Sequence, residues 1–153
     1  MNIYEYISQA VTSLNAPVSV EMHHKGRKGV KTQENSGITI VINPIFRGKT
    51  NFAKNLNAID IPIYEIDFLN LDEWDNFDYN NDADKGTFQI IEEMKQLAAS
   101  VFKKIETLNN LPLVNGFKWS YVSLIRTNAN TESGIRVTLE FPDFQNLICN
   151  YGD

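Results

Sequence analysis

The sequence predicts an α+β domain: an antiparallel sheet of about five strands with two helices packed on one face, in the order α-β-β-β-α-β-β. Three observations carry that expectation. Apolar residues Phe88, Ile91, Met94, Leu97, Ala98, Val101, Phe102, Ile105 and Leu108 trace one stripe at helical spacing. Two closing segments, 117–126 and 135–141, alternate apolar and polar residues with the period of two that marks half-buried strands joined as a hairpin. An opening segment with Ile3, Ile7, Ala10, Val11 and Leu14 on one side supplies a second amphipathic helix. One sheet layer and one helix layer, joined by short connections, bury all these faces at once.

Taken in order, Asn2 followed by Glu5 forms a capping-box pattern at the first helix, which should end near Asn15 because Pro17 disfavours helical geometry before it. Val18, Val20 and Met22 alternate with Ser19, Glu21 and His23 as a first strand. Residues 25–37, with four bases and three glycines, read as a long mobile hairpin loop. The β-branched run from Ile38 to Asn43 predicts a strand covered on both faces, with Pro44 imposing an edge, bulge or end. A second basic loop is expected over 47–57. In the next strand, Ile59, Ile61 and Ile63 share one parity and Tyr64, Ile66 and Phe68 the other, so a bulge is expected at Pro62, at a sheet edge. An acidic, aromatic-bearing loop over 70–86 leads into the long helix, with Asp82 and Asp84 placed just before its first turn. Residues 143–153 are read as a tail.

At 153 residues and 17.5 kDa the chain makes one domain, and its 42% hydrophobic and 11% aromatic content supplies a packed core. It lacks an apolar run long enough to span a membrane, and its first ten residues lack the pattern of a secretory signal, so neither membrane insertion nor classical secretion is expected. A single cysteine, Cys149, points to a reducing compartment. The net charge of −5 disfavours sequence-independent nucleic-acid binding, which calls for a strongly basic domain. That charge is polarised: residues 1–58 carry a net +4 and residues 59–86 a net −8. Opposite patches suit head-to-tail docking of copies, or they neutralise one another within a subunit.

Catalytic patterns find little support. His23 and His24 are adjacent on a strand and point to opposite faces, so they do not chelate one metal together. Cys149 reads as a packing residue. Asp78, Asn80 and Asp82 imitate the first positions of a calcium loop, but Ala83 stands where the turn needs glycine and Gln89 where the bidentate glutamate belongs. Asp78, Asp82 and Asp84 are left with two readings, a solvated helix-capping loop or a loose cation site for a small metal-dependent enzyme. GRKGVKT has the wrong spacing for a phosphate loop. Neither a cofactor nor a metal is therefore expected. Lys25, Arg27, Lys28 and Lys31 read either as a solvated tip or as an arm that meets an acidic surface or nucleic acid. Trp74, Phe77 and Tyr79 either fold back on the core or meet a partner.

The opening MNIYEYISQAVTSLN, three strands with long loops, the long helix introduced by DKGTFQIIEEMKQLAASVFKKI and the hairpin FKWSYVSLIRTNANTESGIRVTLEF together resemble the small ring-forming neck proteins of tailed bacteriophages. The likeness is to the tail-terminator and head–tail connector type, in phages of low-GC gut bacteria. That resemblance implies a non-enzymatic virion protein, assembled in the host cytoplasm. Its ring, commonly a hexamer, closes the tail tube or joins it to the portal and contacts other neck and tail proteins. The expected interface sets Lys25, Arg27, Lys28 and Lys31 of one copy against Asp72, Glu73, Trp74, Asp75, Phe77 and Asp78 of the next.

Overall fold

The opening helix starts where its cap dictates. Asn2 Oδ1 accepts a 2.9 Å hydrogen bond from the Glu5 amide, and Glu5 Oε2 accepts one of 2.7 Å from the Asn2 amide. Helix α1 (Ile3–Leu14) closes on Asn15, whose left-handed φ of 53° lets its amide turn back to the Thr12 carbonyl. The computed structural model describes residues 2–22, 37–52, 57–72, 84–111, 113, 116–126, 132–142 and 147–148. In chain order the further elements are β1 (Val18–Met22), β2 (Ile38–Phe52), β3 (Asn57–Leu71), α2 (Asp84–Asn109), β4 (Lys118–Leu124), β5 (Glu132–Glu140) and β6 (Leu147–Ile148). The class is α+β, as expected, with six strands among the described residues rather than about five.

The sheet runs β1-β2-β3-β5-β4, and β6 pairs with β3 off this path. Every pair is antiparallel except β1 with β2. Because that pair is parallel, segment 23–37 joins the end of β1 to the far end of β2, and the expected hairpin is replaced by a crossover. The expected loop 47–57 is also corrected, since β2 continues to Phe52 and β3 begins at Asn57. Loop 70–86 is shorter than expected, with β3 reaching Leu71 and α2 starting at Asp84. The tail 143–153 contains β6.

Pro44 and Pro62 act at particular places in the ladder. The register of β2 against β3 shifts between Asn43 and Arg47, the interval that Pro44 opens, whereas Pro62 pairs in register with Gly48. Nor does Pro62 lie at an edge, because β3 is flanked by β2 and β5. Its carbonyl accepts a 2.9 Å hydrogen bond from the Phe141 amide, so its nitrogen faces the same side and no bond to β2 is lost. Pro62 cannot return a bond to Phe141. The ladder of β3 with β5 accordingly ends at Ile63 and Glu140, and β6 takes up the same side of β3 at Asn57 and Ala58.

One face of the sheet presents Ile40, Ile42, Ile66, Phe68, Ile135, Val137 and Leu139 to the two helices, which close a single core with Ile7, Met94, Val101 and Ile105. Phe102 organises its aromatic part, meeting Phe68 edge-on at 5.9 Å and Trp119 at 5.3 Å. Two members of the expected stripe fall outside it: Phe88 and Leu108 are exposed. The 26-residue helix is about 39 Å long by its rise per residue, longer than the 9-residue β5 and shorter than the 15-residue β2 and β3.

Candidate functional site

Ends of several elements converge at one end of the sheet. The antiparallel registers bring the close of β3 beside the opening of β5 and the close of β4, and the first turn of α2 lies above them. Asp72, immediately after β3, is fully buried there. Its Oδ2 accepts 2.8 Å and 2.6 Å hydrogen bonds from the buried hydroxyls of Thr87 and Ser133. Arg126 Nη2 lies 3.5 Å from Asp72 Oδ1, with its side chain only 9% exposed, and the Arg126 amide donates to Ser133 Oγ at 3.0 Å. Arg126 adopts a left-handed φ of 46°, a conformation costing a non-glycine residue roughly 1–2 kcal/mol, here held by these two contacts.

The arrangement ties four parts of the chain together. Within it the Ser133 hydroxyl donates to the Asp72 carboxylate and accepts from the Arg126 amide. Asp72 was expected on an exposed acidic docking surface. That expectation is corrected: its charge is directed inward and engaged by Arg126, Thr87 and Ser133. Lys25, Arg27, Lys28, Lys31, Glu73, Trp74, Asp75, Phe77 and Asp78 lie outside the described residues, as do His23, His24 and Cys149.

A second polar group sits on the sheet face turned away from the helices. Arg136 grips Asp67 with two hydrogen bonds, Nε to Oδ1 at 2.8 Å and Nη2 to Oδ2 at 3.0 Å, and approaches Glu65 Oε1 at 3.1 Å. Asp67, with Glu65 adding its field, raises the Arg136 pKa above its ordinary value, so the guanidinium stays charged. Lys49 and Glu140 form a further ion pair on the same face. Among the described residues, no group of three or more His, Cys, Asp or Glu could hold a metal ion, and no helix is long and apolar enough to cross a membrane.

The outer strands differ from this paired interior. Among the described residues, β1 and β4 are the terminal strands of the sheet. On β4, Tyr121 is 44% exposed and Val122 59%, and Ile125 just beyond it is 45% exposed. Neighbouring side chains on a strand point to opposite faces, so this edge is apolar on both. Lys95 of α2 reaches over the Tyr121 ring, 5.1 Å from its centroid. No protein-family model and no curated protein matches the chain.

The sequence reading missed Arg126, Ser133, Thr87 and Arg136 as members of these groups. Partners such as Asp72 and Ser133 stand 61 positions apart, and only strand register brings them together. One signal was legible: Asp67 and Arg136 each interrupt an apolar strand at the parity facing away from the core.

Proposed function

We propose that the chain is a non-enzymatic structural subunit that assembles with further copies into a ring, in the manner of the phage neck proteins it resembles. The observation that supports this reading is the exposed apolar edge formed by Tyr121, Val122 and Ile125. Isolated apolar side chains are ordinary on a protein surface, but successive ones along an outer strand are a surface suited to a partner. The described charged groups fit the same reading. Asp72, Asp67 and Glu65 hold arginines of the same chain, which makes a stiff subunit rather than a reactive pocket.

Light scattering coupled to size-exclusion chromatography tests the proposal, with the chain alone and mixed with the products of the neighbouring genes. A single species of fixed, high-order stoichiometry is expected in at least one condition. A monomer in every condition would overturn the reading.

A further inference from the structure

The two outer strands of the sheet are complementary to each other. From β1 to β4 the strand directions alternate after the one parallel pair, so β1 and β4 run in opposite directions. A second copy placed beside the first, with its helices on the same side, therefore brings its β1 antiparallel to β4. Side-chain parity also agrees. Val18 and Val20 share the helix-side face with Trp119 and Tyr121, because their ladder partners Ile38, Ile40, Leu139 and Val137 face the helices. Ser19, Glu21, Lys118 and Ser120 occupy the opposite face.

We infer that β4 of one copy pairs with β1 of the next, in the register that sets Lys118 opposite Glu21, so that the sheet continues from subunit to subunit. In this register Trp119 meets Val20, Ser120 meets Ser19 and Tyr121 meets Val18. Three features of the chain argue for a second copy as the occupant. The charges at the two edges are opposite and fall on the same face. β4 carries none of the usual guards against edge pairing beyond its first residue, since residues 119–124 contain no charge, proline or glycine. A two-fold β4–β4 pairing centred on Tyr121 would set Lys118 against Leu124 and forgo that match of charges. Contact between two different edges is heterologous, and repeating it with a rotation closes a ring. The inference rests on the ring reading above and names the contact that builds it.

Paired cysteines test the register. In a Cys149→Ser background, Ser19→Cys and Ser120→Cys place thiols on directly opposite residues, whose Cα separation of about 4.5–5.5 Å suits a disulfide. Both serines are exposed, and circular dichroism checks that each variant keeps the native fold. Oxidation of the double variant should give a covalent ladder ending at the ring's subunit number, and neither single variant should give one. Assembly by light scattering without a ladder would overturn the edge pairing while leaving the ring reading intact. Covalent dimers from Ser120→Cys alone would overturn it in favour of a two-fold β4–β4 pairing centred on that residue, and absence of any assembly would overturn both. In a second measurement, Glu21→Lys or Lys118→Glu alone sets like charges opposite and should weaken association about fivefold, and the two together should restore it. Failure of the exchange to restore association would overturn the register.

Discussion

Asp72 shows how far a single side chain departs from what its neighbourhood in the sequence suggests. It opens an acidic run, yet its carboxylate is enclosed by Thr87, Ser133 and Arg126. Replacing it with alanine should cost about 3–5 kcal/mol, the range for breaking a buried pair, because two hydroxyls and a nearly buried guanidinium then lose their common acceptor. Urea unfolding measures this, and a midpoint close to wild type would show that the cluster is dispensable. Gly134 is constrained in another way. It sits in β5 opposite Leu69 and Leu124, where an added Cβ would stand 1.9 Å from the Phe68 carbonyl oxygen. Gly134→Ala must push two central strands apart and should lower stability by at least about 1–3 kcal/mol in a thermal melt. Neither constraint is legible in one sequence, because each depends on which strands lie side by side.

At the scale of elements, the readings that succeeded rest on local physics. The capping box of α1, its end before Pro17, the stripe of α2 and the β4–β5 pair all follow from residues near one another in the chain. Val101, fully buried midway along α2, tests the strongest of these. Val101→Asp should leave the domain unfolded or insoluble, since an unpaired buried carboxylate costs several kcal/mol against a total stability of about 5–15. Glu92→Gln should change the melting temperature little, because it removes only an exposed ion pair with Lys95. The readings that failed needed non-local information. Polar residues such as Arg47, Lys49 and Asn51 resemble a loop, yet they extend β2 because β3 offers a matching ladder down to Ala58. Pro62 was assigned a bulge it does not make, since its missing donor faces the point where β5 ends.

At the scale of the whole molecule, the surface charge is less polarised than the sequence implies. Of the acids in residues 59–86, Glu65, Asp67 and Asp72 are engaged by Arg136 and Arg126 from the C-terminal half, so the segment keeps fewer charges for a partner. Of the acids expected to face Lys25, Arg27, Lys28 and Lys31 of a neighbouring copy, Glu73, Asp75 and Asp78 stay as candidates once Asp72 is set aside. If the continued sheet supplies the affinity, these charges should govern how fast copies meet rather than how tightly they hold. Reversing the four bases to Glu should slow assembly at low salt by about tenfold or more, read by time-resolved light scattering. The difference should vanish near 1 M salt, where screening acts within about 3 Å. Reversing Glu73, Asp75 and Asp78 to Lys in the same chain should restore the low-salt rate. Trp74→Ala should instead weaken the finished ring at both salt concentrations, because aromatic burial is not screened. If the base-reversed chain assembles at the wild-type rate in low salt, the charged segments play no part in the encounter, and recognition between copies rests on the edge strands alone.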